Sequence, residues 1–502
     1  MEGRRLRSVR GVTARVVLLV VGSIACGPGG SVHAATALLH LRAAPKPRFG
    51  KGHSLPPLTR WGWAMPLDVR IELAEHWGYA LELGTAGPGL AKQLDNPESM
   101  ASKVCALAAS DPKRYPLSVL AYRVCYRREF TAPLPPETWC VDPKTEKKVW
   151  SPAAPDRVFR RAGALGVEPL RKVLEKAPVA VILNGGEYAL SVYGHHGKIW
   201  AHDRRVLKAK GGRGWYDYVS EQKARQEVIV SDAFRKACPK RRLYIYYYAD
   251  GCPHRNRYKG WDVWAWDYKW MRRVSDLPSS SVYFRHFNSG FAGDNDMLTQ
   301  ALNGVAQQLA LGDPLSYNWL NAGWTRAKMG DKAFGDLDRY VGYLKCYYTA
   351  GMIGGVAGYF AYPKGGFGGN VGDEPPHWLR QMMVLGRVHA LFSRVEEFLR
   401  KGDLLPGPNK HRWSADLPAY EFPTGDATAR VLARKHRRRD EWLVAAWAAG
   451  GADRHVTVTL PTLGRVRVEA RACGSVYRAV RKGGQAVLKR VDENGRFPTA
   501  AR

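Results

Sequence analysis

The sequence predicts an α/β protein with two domains: a (β/α)8 TIM-type barrel over residues 56–412 and a small all-β sandwich over residues 413–502. In the first part, eight short runs rich in Val, Ile, Tyr, Phe and Trp alternate with helical stretches, which is typical of parallel strands joined by crossover helices. In the second part, short strand-like runs recur at intervals of about ten residues, which is typical of an antiparallel sandwich. An open doubly wound sheet is the alternative for the first part, but no glycine-rich phosphate fingerprint follows an early strand.

The predicted elements follow from these patterns. The barrel strands are predicted at Thr59–Met65, Tyr79–Gly84, Leu117–Val124, Val179–Leu183, Leu243–Tyr248, Val282–Phe287, Leu315–Leu320 and Val356–Tyr362. Helices are predicted at Leu67–His76, Asp156–Glu175, Asp296–Leu311, Asp331–Ala350 and Pro376–Lys401. The sandwich strands are predicted at Thr428–Leu432, Trp442–Ala448, His455–Leu460, Val466–Ala470, Ser475–Val480 and Ala486–Val491.

The first 34 residues have the pattern of a signal peptide. Basic residues precede an apolar run over Val16–Ala25, and Val32-His33-Ala34 offers a small-x-small cleavage site. We therefore expect export to a periplasmic or extracellular location. Residues 35–55, rich in Pro, Gly and basic residues, are predicted to be a linker or a wrapping arm. No other stretch has membrane-spanning length and hydrophobicity, so no transmembrane segment is expected after signal cleavage.

The composition indicates which partners the chain attracts. Lys and Arg number 77 against 45 Asp and Glu, which gives a formal net charge of +32. Such a charge favours polyanions, either a sulfated or uronic-acid polysaccharide or a nucleic acid. A solvated basic surface without a ligand is a third interpretation. The basic residues are spread along the whole chain, which argues against a dedicated nucleic-acid domain. The cysteines are scattered without a CxxC pair, so neither a metal site nor a cofactor is predicted.

The clearest candidate for catalysis follows the fourth predicted strand. There the apolar run Val181-Ile182-Leu183 is expected to end at Asn184, two glycines follow, and Glu187 comes next to Tyr188. Catalytic groups of barrel enzymes lie where strands end and loops begin. A carboxyl group partly desolvated by aromatic neighbours has a raised pKa, which suits it to protonating a leaving-group oxygen. A helix-capping or Arg-paired glutamate is the alternative.

This segment resembles barrel glycoside hydrolases, many of which keep an Asn and a Glu acid/base after the fourth strand. The resemblance implies that Glu187 is the general acid/base and that Asn184 contacts the sugar. The chain departs from the family pattern in two ways: Gly185 and Gly186 separate the pair, and no carboxylate follows the seventh strand in Ser316–Trp324, where the family nucleophile lies.

The end of the predicted barrel and the domain after it also resemble exported bacterial glycosidases. Leu385-Gly386-Arg387-Val388-His389 is followed by Gly402-Asp403-Leu404-Leu405-Pro406 and then by the strand-like Glu441–Trp447. The resemblance covers most of the mature chain in architecture. It implies a class of enzyme and leaves the substrate open.

Glycoside cleavage usually requires a second carboxylate, as nucleophile or as the base that activates water. Asp250 is ranked first because it directly follows the fifth strand. Asp294 and Asp296 after the sixth strand come next, although Asp296 also fits a helix N-cap. Asp373 and Glu374 after the eighth strand come last, since they equally fit a helix start.

Aromatic and polar residues near the predicted strand ends are candidates for substrate binding. Trp and Tyr pair an apolar face with a polar edge, which suits the C–H faces of sugar rings, although core packing or nucleic-acid base stacking would use the same residues. Loop histidines, amides and carboxylates could hold hydroxyl groups. The candidates are Asn184, Tyr188, His195, His196, Trp261, Asp262, Trp266, Asp267, Asn321, Trp324, Asp373 and Glu374.

Together these observations predict a hydrolase that cleaves glycosidic bonds of a polysaccharide or oligosaccharide, with Glu187 and a second carboxylate as the catalytic pair. A non-catalytic carbohydrate-binding protein on the same fold is the first alternative, because a fold does not confer activity by itself. A basic nucleic-acid-binding protein is the second.

Overall fold

The computed structural model describes residues 37–60, 65–85, 89–121, 134–185, 190, 197–247, 267–279, 297–320, 337–357, 377–410 and 416–491. The predicted signal peptide lies outside these residues. Within them, no helix combines the length and the apolar character needed to cross a membrane.

The first domain contains nine strands and thirteen helices within the described residues. The strands are β1 (Thr59–Arg60), β2 (Leu81–Gly84), β3 (Leu117–Leu120), β4 (Trp139–Val141), β5 (Lys148–Trp150), β6 (Val181–Gly185), β7 (Leu243–Tyr247), β8 (Ser316–Leu320) and β9 (Met352–Ala357). The helices are α1 (37–43), α2 (Leu67–Trp77), α3 (Leu90–Asp95), α4 (Met100–Ser110), α5 (Asp156–Leu174), α6 (Gly197–Trp200), α7 (Arg204–Lys210), α8 (Trp215–Ala237), α9 (Tyr268–Met271), α10 (Met297–Ala310), α11 (Leu337–Thr349), α12 (His377–Ser393) and α13 (Glu396–Lys401).

Seven of these strands are parallel and follow a cyclic order. One sheet has the order β2-β3-β6-β7 and the other β1-β9-β8. A parallel bridge between Leu58 and Tyr79 links β1 to β2. The first strand therefore lies between the second and the last, which is the order of a TIM-type barrel and lacks the reversal of a doubly wound sheet. The mixed α/β class with parallel strands is confirmed, and the predicted sixth strand, Val282–Phe287, lies outside the described residues.

The arm before β1 packs against helices of the first domain. Helix α1 buries Ala37 and Leu41 completely. Further along, the backbone N–H of Gly50 donates to Ser393 Oγ at 2.7 Å, and the N–H of Ser54 donates to Glu396 at 2.9 Å. These bonds join the arm to α12 and α13.

The C-terminal domain contains seven antiparallel strands within the described residues: β10 (Gly402–Leu404), β11 (Ala429–His436), β12 (Glu441–Ala448), β13 (Arg454–Leu460), β14 (Gly464–Ala470), β15 (Ser475–Lys482) and β16 (Gln485–Arg490). They form a five-stranded sheet, β10-β11-β12-β15-β16, and the hairpin β13-β14. Val444, Val458 and Val468 share one core between the two layers, as a sandwich requires. Strand β10 pairs with β11 although it precedes residue 413.

The other face of the five-stranded sheet packs on the first domain, mainly on α11. Trp447 of β12 lies against Gly342 of α11, where a Cβ atom would overlap the indole ring. Lys345 Nζ donates to the carbonyl of Gly474 at 2.8 Å. Strand β12 is therefore buried on both faces, which explains why Trp442–Ala448 is an unbroken apolar run rather than an alternating one.

Several predicted bounds were wrong. The long helix predicted over Pro376–Lys401 is two helices, because the chain leaves helical geometry at Val395 (φ −126°, ψ 21°). The eighth barrel strand begins at Met352 rather than Val356. The fourth barrel strand continues through Asn184 to Gly185, whereas the sequence pattern placed its end before the amide.

Candidate active site

The carboxyl ends of the seven parallel strands form one edge, which we call the strand-end edge. Its described rim consists of the last residues of these strands: Arg60, Gly84, Leu120, Gly185, Tyr247, Leu320 and Ala357. Strands β6 and β7 end in register, with Gly185 opposite Tyr247. The segments that follow these strands therefore start from neighbouring points, and in barrel enzymes such segments carry the catalytic groups.

The structure describes two of the predicted site residues, Asn184 and Asp267. The others lie outside the described residues, and they are Glu187, Tyr188, His195, His196, Asp250, Trp261, Asp262, Trp266, Asp294, Asp296, Asn321, Trp324, Asp373 and Glu374. For Glu187 and Asp250, the structure describes the strands that precede them, β6 and β7.

Asn184 is a buried residue of β6, only 1% exposed. Its Nδ2 donates to the hydroxyl of Tyr244 at 3.0 Å, and its Oδ1 accepts from the N–H of Gly185 at 2.8 Å. The Tyr244 ring packs 5.9 Å from the ring of Phe234 on α8, so this amide belongs to the face that meets the helices. The described contacts of Asn184 hold β6 to β7.

Asp267 is the N-cap of the short helix α9. Its carboxylate accepts from the N–H of Lys269 at 3.0 Å, and the residue is 7% exposed. Burial raises the pKa of Asp267, while the hydrogen bond from Lys269 opposes that shift. The described contacts of this carboxylate are the capping bond from Lys269 and a side-chain hydrogen bond with Tyr216 of α8.

A buried aromatic pair includes the rim residue Tyr247. The rings of Tyr247 on β7 and Trp319 on β8 have their centroids 4.2 Å apart, and both are nearly inaccessible to solvent. The preceding residue, Tyr246, has its ring 5.9 Å from Lys223 Nζ on α8 and so faces the helices. Because neighbouring residues of a strand point to opposite faces, Tyr247 points to the interior of the strand layer.

A buried charged cluster at the end of β1 and within β2 was not predicted from the sequence. Arg60 Nε lies 3.5 Å from Glu82 Oε2, and Arg70 of α2 donates to the carbonyl of Glu82 at 3.0 Å. Burial lowers the pKa of Arg60, lowers that of Arg70 to about 9 and raises that of Glu82. The signal was present in Leu81-Glu82-Leu83, where a charged residue interrupts an otherwise apolar strand.

An accessory cluster borders one side of the strand-end edge. The β4-β5 hairpin follows β3, helices α6 and α7 follow β6, and these elements share a core that includes Cys140, Trp150, Phe159 and Trp200. Cys140 Sγ donates to Asp203 at 3.1 Å, and the Arg205 guanidinium binds the same carboxylate. Hydrogen bonds from these side chains lower the pKa of Asp203 to about 2, although burial opposes the shift.

Neither a metal-ligand cluster nor a disulfide is found in the part of the chain that the structure describes. In the described ranges, no three His, Cys, Asp or Glu side chains gather as metal ligands. Cys105, Cys140, Cys238 and Cys346 are free, buried thiols.

No protein-family model and no curated protein matches the chain. Among solved structures it is similar to an α-amylase from Geobacillus thermoleovorans, with 10% identity, 81% of this chain and 85% of that chain covered, and a TM-score of 0.41. It is also similar to an α-galactosidase from Geobacillus stearothermophilus, with 11% identity, 91% of this chain and 59% of that chain covered, and a TM-score of 0.42. A third similar structure is a xylanase from Clostridium acetobutylicum, with 12% identity, 90% of this chain and 96% of that chain covered, and a TM-score of 0.37. At these TM-scores the likeness establishes neither fold nor activity.

Proposed function

We propose that the chain is a glycoside hydrolase that cleaves glycosidic bonds of a polysaccharide or oligosaccharide at the strand-end edge. Glu187 is its general acid/base, and Asp250 is the partner carboxylate. The substrate class includes polymers that carry sulfate or uronic-acid groups, because the chain has a formal net charge of +32.

One observation carries this proposal: Gly185 and Tyr247 are register partners on adjacent parallel strands. Glu187 follows two residues after the first and Asp250 three residues after the second. Adjacent strands lie ~4.8 Å apart, so the two acids start from neighbouring points of one edge. Glycosidases need two carboxyl groups at a separation of about 5–5.5 Å for retention or about 6.5–9.5 Å for inversion.

A closed barrel is part of the proposal, because it places the rim around one cleft. The N–H of Asp276 donates to the Tyr244 carbonyl on β7 at 2.8 Å, and the N–H of Tyr317 on β8 donates to the Pro278 carbonyl at 2.8 Å. The segment 276–278 thus bridges the two strands between which the sixth strand belongs. The predicted strand Val282–Phe287 begins four residues further on.

In this mechanism Glu187 donates a proton to the leaving-group oxygen as the glycosidic bond breaks. Asp250 either attacks the anomeric carbon or removes a proton from the water that attacks it. The absence of a carboxylate in Ser316–Trp324 also fits a substrate-assisted route, in which a group of the sugar takes the place of the protein nucleophile.

The test is product release from a panel of neutral, sulfated and uronic-acid polysaccharides, measured with the unaltered protein and with Glu187→Gln. We expect the substitution to reduce the rate at least about a hundredfold, because acid–base help contributes about 10² to 10⁴. Asp250→Asn and the double variant Asp294→Asn/Asp296→Asn then identify the partner carboxylate by the larger loss.

Glu168→Gln is the matched control, because Glu168 is an exposed residue of α5. It should retain full activity. Equal activity of Glu187→Gln and Glu168→Gln would remove Glu187 from the mechanism. Saturable polysaccharide binding without any product would instead favour the non-catalytic carbohydrate-binding protein.

We also propose that the chain is exported after cleavage of residues 1–34. The support is the basic segment, the apolar run and the small-x-small site of the sequence. N-terminal sequencing of the protein secreted from an expressing cell should give Ala35 as the first residue. Retention of Met1 in the mature protein would contradict the proposal.

A further inference from the structure

The outer face of the β13-β14 hairpin carries a cluster that we call the arginine face: Arg465 and Arg467, with Thr457 and Thr459. On β14, Arg465 and Arg467 are exposed and alternate with the buried Val466 and Val468. The two arginines therefore project from the same side of the hairpin, away from the core of the domain.

The strand register places hydroxyl groups beside these guanidinium groups. Arg467 is opposite Thr457, and Arg465 is opposite Thr459. Side chains of directly opposite residues approach within about 5 Å, so each pair offers a guanidinium donor beside a hydroxyl. At the turn of the hairpin, Arg481 of β15 donates to the carbonyl of Thr462 at 3.4 Å, so a third cation lies beside this turn.

Arg465 and Arg467 have no carboxylate within ion-pair distance among the described residues. Several other arginines of the domain do pair with carboxylates: Arg430 with Glu421 at 3.0 Å, Arg454 with Asp426 at 2.5 Å, Arg471 with Asp453 at 3.2 Å and Arg478 with Glu441 at 2.6 Å.

Glu469, the next residue on the same side of β14, pairs with Arg471 at 3.8 Å and with Arg490 at 3.7 Å. Arg465 and Arg467 are two residues apart on one strand face, about 7 Å, and like charges at that distance repel each other. An anionic ligand would remove the repulsion, and the planar guanidinium group binds carboxylate and sulfate oxygens in bidentate fashion.

We infer that the arginine face is a secondary binding surface for an anionic polysaccharide, one that carries sulfate or carboxylate groups along its chain. The guanidinium groups bind the acidic groups, and Thr457 and Thr459 contact the sugar hydroxyls. The surface lies on the C-terminal domain and does not depend on hydrolysis at the strand-end edge.

The test is equilibrium binding of the full chain to dextran sulfate, polygalacturonate, neutral dextran and single-stranded oligothymidylate at low salt. We expect at least one anionic polysaccharide to bind, neutral dextran not to bind, and Arg465→Gln/Arg467→Gln to weaken binding about tenfold. The matched control Arg161→Gln/Arg171→Gln removes two exposed arginines of α5 and should change affinity less than about twofold.

Three results would overturn the inference. An equal loss in the control variant would mean that only the overall charge attracts the polymer. Equal binding of neutral dextran would mean that the acidic groups are not recognised. Tighter binding of the oligonucleotide, lost in the same variant, would make the face a nucleic-acid site. Because binding is measured without turnover, the result is independent of whether Glu187 proves catalytic.

Discussion

Two buried regions of the molecule satisfy their polar groups with different sets of partners. At the junction between the domains, Arg434 of β11 is completely buried and donates to four backbone carbonyls, those of Thr349, Phe398, Leu399 and Gly402. At the strand-end edge, side chains also pair with side chains: Arg60 with Glu82, and Asn184 with Tyr244. Arg70 there donates to the backbone carbonyls of Met65 and Glu82.

The difference separates structural roles from candidate functional ones. Backbone carbonyls at the ends of α11 and α13 are obligatory acceptors, so a guanidinium group that satisfies them fixes one domain against the other. The side-chain pairs at the edge join neighbouring strands, β1 to β2 and β6 to β7. We therefore expect substitutions at the junction to change stability and substitutions beyond the strand-end edge to change activity.

The largest expected effect on stability is that of Arg434→Ala. It leaves a cavity and removes the donors of four carbonyls, which should lower the free energy of unfolding by about 4 kcal/mol. Urea unfolding measures this difference. Arg437→Ala is the control, because Arg437 forms a half-exposed ion pair with Asp403 at 2.8 Å. This substitution should lower the free energy of unfolding by less than about 1 kcal/mol. Similar losses in both variants would contradict a structural role for Arg434.

A smaller effect is expected at the strand-end edge from Asn184→Ala. Loss of the bonds to Tyr244 and Gly185 should lower the free energy of unfolding by about 2 kcal/mol. Activity per folded molecule should change less than about threefold, because the described bonds of this amide are internal. Unchanged stability together with a large loss of kcat/KM would instead place Asn184 on the sugar, as the family resemblance implies.

A separate effect is a pH dependence of stability where the arm meets α12. His389 is completely buried beside Phe49, His53 and the Tyr348 hydroxyl, and burial lowers its pKa to about 3. The unfolded chain binds the proton first, so stability is lost as the pH falls below about 6.5, by up to about 1.4 kcal/mol per pH unit. His389→Asn should flatten that slope in urea unfolding between pH 7 and pH 4. An unchanged slope would assign it to other groups, such as His53.

Much of the secondary structure follows from local sequence pattern. The strands β7, β8 and β11 to β16 were predicted to within a few residues, because β-branched and aromatic residues recur there with strand spacing. Helix α5 was predicted because its apolar residues, including Val158, Ala162 and Val173, form one buried stripe.

Tertiary contacts explain the misses. Helix α8 was missed because its buried face carries Ser220, Lys223, Glu227 and Ser231, a polar stripe with helical spacing that resembles a solvated surface. Strand β9 was misplaced because Gly354 and Gly355 have low strand propensity. Both are required by close packing, since a Cβ atom on either would overlap a tyrosine ring or hydroxyl.

For the candidate site, sequence order alone located the acids after strands that the structure shows to be adjacent and in register. The hydrogen bond between Asn184 and Tyr244 was not predicted, because the two residues are sixty positions apart in the sequence. Such pairings depend on register between strands, which local patterns do not contain.

The most direct test of the central claim measures the rate at which Glu187→Gln hydrolyses two glycosides of the same sugar. One glycoside has a poor leaving group and the other has an activated aryl leaving group. If Glu187 protonates the leaving group, the substitution should slow the first at least about a hundredfold and the second much less, with the free energy of unfolding unchanged. Equal slowing of both substrates, or no slowing of either, would contradict the account.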